Sequence, residues 1–322
     1  MNDKPVVLVT RKLPDAVERL LAEEFTPLLN PDDRLYDTEE LLRRAAEADA
    51  ILPCHTEKFN ADTIARLPTR VKAIANYSVG VDHVDLEAAK LKGIIVTNTP
   101  DVLSDATAEI AMLLMLGAAR RASEGERLVR SQSWKDWSPA FMVGRQITGK
   151  RLGILGMGRV GRVVAERARG FEMTIHYHNR KPLPAEQAAG AEYHDSVEGL
   201  LAGVDVLSIH CPASSETRGL LNRERLAILH SEAILVNTSR GGVIDDDALV
   251  ETLRSGGIAA AGLDVYNGEP DKIHPGYREL DNVFLLPHIG SATVETRLAM
   301  GERAIENLRA IFAGREPGDR VA

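Results

Sequence analysis

Short runs of β-branched and aliphatic residues alternate with segments of helical period from the start of the chain. Val6–Thr10 (VVLVT), Ala50–Leu52, Val71–Ala75 and Ile94–Thr97 read as strands, and Ala16–Glu24, Glu39–Ala46 and Leu86–Leu91 as helices between them. A second series begins after Gly149, where Arg151–Leu155, Met173–His178, Val204–His210, Ala233–Asn237, Ile258–Leu263 and Val283–Leu286 are strand-like and separated by helical stretches and turns. Strands that alternate with helices through short connections demand right-handed crossovers, and hence parallel sheets covered on both faces. The pattern predicts an α/β protein with two doubly wound parallel-sheet domains, Rossmann or flavodoxin-like in kind.

Between the two series, Ser104–Arg130 reads as one long helix with a capping residue at its start and the apolar block Ile110–Leu116 inside. Such a helix is expected to cross from one domain to the other. Ala292–Phe312 is also helical by period, and Gly314–Ala322 is too short to form a domain, so both should pack on the first. No repeat or low-complexity linker interrupts the chain.

The 322 residues suffice for about two domains, each with its own core. Lys+Arg at 39 against Asp+Glu at 47 gives a net charge of −8, which offers nucleic acid or an anionic membrane no electrostatic attraction. Only 4% of residues are aromatic, too few for a base-stacking platform. The apolar run Ile110–Ala119 is about half a bilayer span and reads as a buried helix. Met1–Thr10 has no signal-peptide pattern, so a cytoplasmic location is expected. Cys54 and Cys211 lie too far apart in sequence to suggest a disulfide framework or zinc knuckle.

Three motifs bear on chemistry. Gly144–Lys150 nearly matches a phosphate-binding P-loop, but Arg151 stands where a magnesium-binding Ser or Thr belongs, and the segment precedes a strand instead of following one. It is excluded. Gly156, Met157, Gly158, Arg159, Val160 and Gly161 follow the strand Arg151–Leu155 directly and open a helix. The first glycine permits the tight turn, the second lets backbone approach a pyrophosphate, and the third lets helix and strand pack closely. A dinucleotide site is expected there, against the plainer reading of a tight strand-to-helix turn. One strand later an NAD site wants an acidic residue for the ribose hydroxyls, yet Met173–Ala185 has none and carries Asn179, Arg180 and Lys181 instead. A guanidinium suits a 2′-phosphate, so NADPH is the expected cofactor, with NADH admitted because Asn179 can still bond a ribose hydroxyl. Thirdly, His176 and His178 would share one strand face with His194 nearby, but no third metal ligand can be named, and no metal is expected.

Three more segments place polar residues and glycines just after strands, where ligands bind in open α/β sheets: Asn237–Gly242 with Arg240, Gly262–Pro270 with Asp264 and Glu269, and Pro287–Thr293 with His288 and Gly290. Singly, Arg240 reads equally as a surface ion pair, His288 as a helix cap and Glu269 as a turn residue. Together with Asn76–Asp82 and Thr99–Glu109, these segments resemble the D-isomer-specific 2-hydroxyacid dehydrogenases over nearly the whole chain. Within that family the resemblance is strongest to NADPH-dependent glyoxylate/hydroxypyruvate reductases, from Tyr77–Gly80, from Trp134, Trp137 and Pro139, and from Asn179 and Arg180.

The resemblance implies that Arg240 binds the carboxylate and carbonyl of a 2-oxo acid, that His288 is the acid/base and that Glu269 supports it. It further implies that backbone around Ser78, Val79 and Gly80 holds the substrate carboxylate, with Leu52 also in the substrate set, and that Asp264 helps orient the nicotinamide. Thr107, Cys211, Pro212, Thr217, Thr238, Ser239 and Gly290 complete the implied cofactor set. The chemistry agrees: hydride addition to a ketone leaves an oxyanion that needs a proton, and a histidine beside a carboxylate supplies one near neutral pH. The implied layout is discontinuous, with residues 1–99 and 291–322 as substrate domain, 100–290 as cofactor domain, and a cleft between them that closes over the reaction. Trp134 and Trp137 are implied near a homodimer interface, although a core role suits them equally. The expected reaction is reduction of glyoxylate and hydroxypyruvate. Alternatives are another 2-oxo acid, such as 2-ketogluconate or a branched or aromatic pyruvate, or a non-catalytic, cofactor-sensing corepressor-like protein.

Overall fold

The computed structural model describes residues 4–322, which fall into two compact units: 4–103 with 292–322, and Ser104–Ser291. Met1–Asp3, the beginning of the segment expected to carry no leader, lie outside the described residues.

In the first unit, β1 (Val6–Val9), β2 (Thr26–Leu28), β3 (Ala50–Leu52), β4 (Ala73–Ala75) and β5 (Ile95–Thr97) form a parallel sheet in the order β2-β1-β3-β4-β5. This is flavodoxin-type winding. The period-2 alternation is visible in the packing, because Val7 and Val9 join one apolar cluster and Leu8 the other. Helices Asp15–Glu24 and Val294–Phe312 cover the first face, and Thr38–Ala45, Ala61–Arg66 and Leu86–Lys92 the second. Met300, Ala304, Ile305 and Leu308 of the C-terminal helix are buried beside Val17 and Leu21. The chain end then bonds Val96: its N–H donates to Ala322 O at 3.0 Å, and Val321 N–H donates to Val96 O at 2.8 Å. Ala292–Ala322 thus complete the unit that the N-terminal part of the chain begins.

The second unit holds β6 (Arg151–Leu155), β7 (Thr174–His178), β8 (Glu192–Tyr193), β9 (Val206–Ile209), β10 (Ile234–Asn237), β11 (Ala260–Leu263) and β12 (Val283–Leu285). Their order is β12-β11-β10-β9-β6-β7-β8, all parallel, as in a Rossmann sheet. The order reverses between β6 and β9, and there the connections leave the strand ends in opposite directions and open a crevice.

The structure departs from the sequence expectations in three places. β2 contains Pro27, which argues against a strand, but an edge position tolerates it. β8 is only two residues long and gives no periodic signal. The expected single helix Ser104–Arg130 is two, Ser104–Ala119 and Ala122–Arg130, broken where Arg121 takes φ 55°. The cause is non-local, since Arg145 N–H donates to Ala119 O at 2.8 Å and so caps the first helix from a distant loop. All of Ser104–Ala119 lies in the second unit, packed on β10, β11 and the helix Arg159–Arg169, with the apolar block buried as expected except for Leu113 and Leu116. Among the described residues, no helix is long and apolar enough to cross a membrane.

Leu308 is wholly buried between the C-terminal helix and the first sheet. Leu308→Ala should destabilise this unit by about 2–5 kcal/mol in urea unfolding. An unchanged midpoint would show that the helix is not part of the unit's core.

Candidate active site

The turn after β6 is built by close approach. Gly156 has φ 95°, its N–H donates to His178 O at 3.0 Å, and a side chain there would sit 2.6 Å from Cys211 N. A Cβ on Gly161 would lie 2.7 Å from Gly156 O, so the third glycine sets the helix against the turn. Gly158 differs, because its absent Cβ points at open space just before the helix Arg159–Arg169. That helix start has no side-chain cap, which leaves its first amides available to an anion. Asn179, at the end of β7, accepts from Met157 N–H at 2.7 Å and fixes the turn from the neighbouring strand.

Arg180 points outward, with its guanidinium 3.5 Å from the Glu216 carboxylate. Thr217 donates to Pro212 O at 2.7 Å and accepts from Ser214 N–H, which folds the segment following Cys211 into a compact turn. Cys211 and Pro212 follow β9, the strand on the other side of the order reversal from the glycine turn.

Arg240, Glu269 and His288 follow β10, β11 and β12, three adjacent strands, at their carboxyl ends. His288 Nδ1 is hydrogen-bonded to Glu269 Oε1, and Glu269 Oε2 accepts from Tyr266 N–H at 2.8 Å. A carboxylate only accepts, so Nδ1 carries the proton of this bond. His288 is half-buried with φ 55°, a left-handed backbone that a non-glycine residue adopts only when its surroundings hold it. Those surroundings include buried Asp264, whose two oxygens accept from Ile289 N–H and Gly290 N–H, both at 2.8 Å. Burial raises the Asp264 carboxyl above its ordinary value, and the two amides and nearby His288 oppose that rise. Thr107 donates to Gly290 O at 3.1 Å. Arg240 is held by its own loop, where Nη1 donates to Ser239 O at 2.8 Å.

In the first unit, the loop after β4 turns its carbonyls inward. Ser78 O accepts from Thr99 N–H, Val79 O from Asn98 Nδ2 and Gly80 O from Ser78 Oγ. Across a trans peptide the following N–H points the opposite way, so Val79, Gly80 and Val81 present their amides outward together. Leu52 is wholly buried in this unit's core and offers a ligand no side-chain surface. Trp134 and Trp137 are 54% and 70% exposed, which overturns the core alternative for them.

Two supporting residues were missed in the sequence. Buried Asn237 accepts from Ser239 N–H and Ser239 Oγ, both at 2.9 Å, and donates to Arg240 O at 3.0 Å, so it shapes the loop that carries Arg240. His210 lies between Ser208 Oγ at 2.8 Å and Thr238 Oγ1 at 3.2 Å. Burial pushes its imidazole down to about 4, which keeps it neutral and able to donate through one nitrogen and accept through the other. Asn237 stood inside a motif already singled out; His210 carried no signal, because its partners come from β9 and the loop after β10.

The site fits a nicotinamide dinucleotide. The space a Cβ on Gly158 would fill, the uncapped helix start and the strand-order reversal coincide. Residues 112–290 match the model of the D-isomer specific 2-hydroxyacid dehydrogenase NAD-binding domain. The chain is 41% identical to a glycerate dehydrogenase from Hyphomicrobium methylovorum over 97% of each protein. It is 44% identical to a glyoxylate reductase from Aeropyrum pernix, over 99% of this chain and 96% of the other. Its structure superposes with TM-score 0.87 on an NADPH-dependent glyoxylate/hydroxypyruvate reductase from Sinorhizobium meliloti crystallised with NADP and malonate, at 32% identity over 99% and 97% of the two chains.

Because nothing crowds Gly158, Gly158→Val should melt at the wild-type temperature while binding NADPH at least about tenfold more weakly in a fluorescence titration. Undiminished binding would remove the glycine turn from the cofactor site.

Proposed function

The chain belongs to the D-isomer specific 2-hydroxyacid dehydrogenase family, and we propose that it reduces glyoxylate to glycolate and hydroxypyruvate to D-glycerate, with NADPH preferred and NADH a second donor. The coarse activity is that of an NAD(P)-dependent oxidoreductase of small 2-oxo acids. The observation that carries the catalytic assignment is the His288–Glu269 hydrogen bond, formed between loops of adjacent strands with Arg240 on the next loop. The relatives named for glyoxylate, glycerate and hydroxypyruvate support the substrate class, and the Sinorhizobium enzyme supports NADPH. So does Arg180 at the end of β7, in a stretch without an acidic residue.

When bound, the nicotinamide supplies the hydride. Arg240 grips the carboxylate and carbonyl of the 2-oxo acid and fixes which carbonyl face is presented. His288 Nε2 gives its proton to the developing alkoxide, and Glu269, bonded to Nδ1, orients the ring for this transfer. Asp264 acts on this chemistry through the backbone of residues 289 and 290. Asn179 and the glycine turn hold the dinucleotide, Arg180 meets its 2′-phosphate, and Thr107, Thr238, Ser239 and the Cys211–Thr217 turn line its path. The outward amides of residues 79–81 serve as a carboxylate-binding element in the first unit, which is the substrate domain of this reading.

We further propose a homodimer. The helix Ala122–Arg130 buries none of its side chains, and Val129, Trp134, Trp137, Phe141 and Val143 expose apolar surface along it and the segment beyond. Large apolar side chains left exposed close together in sequence fit a surface covered by a second copy of the chain.

Purified protein should oxidise NADPH faster than NADH with glyoxylate and hydroxypyruvate, and faster with either than with pyruvate or 2-ketogluconate. NADPH binding without turnover on any of these acids would overturn the assignment. Glu269→Gln should lower kcat by about 10²-fold or more with the KM for the 2-oxo acid little changed, because the ring loses the carboxylate that orients it. An unchanged kcat would remove Glu269 from its role. Light scattering should give twice the chain mass for the wild type and the monomer mass for Trp137→Lys; a monomeric wild type would refute the dimer.

A further inference from the structure

At the far edge of the second sheet, two histidines and a glutamate converge away from the catalytic loops. His176 on β7 and Glu192 on β8 are register partners, and His194 follows Glu192 by two residues, so the pleat sends all three to one face. His176 Nδ1 lies 3.1 Å from His194 Nε2 and 3.5 Å from Glu192 Oε2, and His194 Nε2 is 3.9 Å from Glu192 Oε1. Three donors on a tetrahedral ion with metal–ligand bonds of about 2.0–2.1 Å would stand about 3.3–3.4 Å apart. The observed triangle therefore needs only small side-chain movements to close on an ion.

We propose that His176, Glu192 and His194 bind one divalent transition-metal ion of the zinc class, stapling β8 to β7. The donor set, two imidazoles and one carboxylate, suits zinc and its neighbours better than calcium or magnesium, and three ligands leave a position for water. Both imidazoles are largely shielded from solvent, at 14% and 18% side-chain exposure, so the pair of nitrogens is held in place by the edge of the sheet. His178 does not belong to the set: its Nδ1 is bonded to His194 O at 2.9 Å and fixes the backbone on which the ligand sits. The ion would compensate for a strand of only two residues at an edge, where a short ladder provides little stability of its own. Tyr193, between two of the ligands, donates to Asn179 O at 3.3 Å, so a stapled β8 also steadies the turn after β7.

This proposal is independent of the reductase reading and is tested without substrate. Protein lacking an affinity tag, stripped by chelation, is titrated with Co²⁺ followed by visible absorption and with Zn²⁺ by calorimetry. One equivalent should bind, with cobalt bands of low coordination number, and Zn²⁺ should raise the melting temperature. His176→Gln and His194→Gln should each abolish the bands and weaken Zn²⁺ at least about tenfold, with Glu192→Gln weakening it as well. His274→Gln, in a separate pair with Asp247, and His288→Asn, which removes the catalytic imidazole, should each still bind one equivalent. Absent cobalt bands, binding that survives both edge-strand histidine variants, or binding that vanishes only in His288→Asn would each overturn the proposal.

Discussion

The carboxylate of Asp264 is buried, and its oxygens bond the backbone N–H groups of Ile289 and Gly290. Removing a carboxylate from water is costly, and two amides at 2.8 Å compensate it in one geometry only. That geometry ties the end of β11 to the loop leaving β12. It also determines what His288 can do, since a left-handed histidine between β12 and a pair of captured amides has few other backbone states to adopt. With the backbone fixed, Nδ1 meets Glu269, and the proton on the ring is directed by structure instead of by chance encounter.

The same logic extends along the sheet edge. Asn237 holds the loop after β10 through three hydrogen bonds, and Tyr266 lays its hydroxyl within 2.9 Å of Leu263 O and 2.7 Å of Leu286 O, joining β11 to β12 once more. Gly241 lets these loops meet, because a Cβ there would fall 2.0 Å from Tyr266 C. Arg240, Glu269 and His288 are thus carried by one cross-linked edge. Positions fixed by buried hydrogen bonds tolerate little drift, which is what a proton donor and a carboxylate grip require if they are to act on one small acid.

Much of this was legible in the sequence because it is written in local signals. Strand runs, the glycines of the turn after β6 and the polar residues after β10, β11 and β12 are each recognisable within about ten residues, and their order along the chain carried the family resemblance. What was not legible depends on partners far away in sequence. The break at Arg121 comes from Arg145 capping Ala119, and the ring of His210 is held by Ser208 and Thr238 together. Glu192 could not be joined to His176 and His194 until β8, two residues long, was paired with β7. Leu52, placed by resemblance in the substrate set, turns its side chain into the core, so the part that the resemblance implies for it falls to its backbone.

Cofactor choice rests on a different kind of interaction from catalysis. Arg180 is 88% exposed and its guanidinium stands 3.5 Å from the carboxylate of Glu216, itself 68% exposed, so the pair is screened by solvent and worth at most about 1 kcal/mol. On the proposed reading a 2′-phosphate must compete with that carboxylate for the guanidinium, and it wins by carrying more charge and more acceptors. Such a contest in water yields a graded preference, whereas the hydrogen bonds around His288 are made in more sheltered surroundings. The absence of an acid after β7 then matters as much as the presence of Arg180: nothing on the strand repels the phosphate, and Asn179, which accepts from Met157 N–H through Oδ1 and donates to Met157 O at 3.4 Å through Nδ2, retains one amide hydrogen for a ribose oxygen. On that reading the site favours NADPH without excluding NADH.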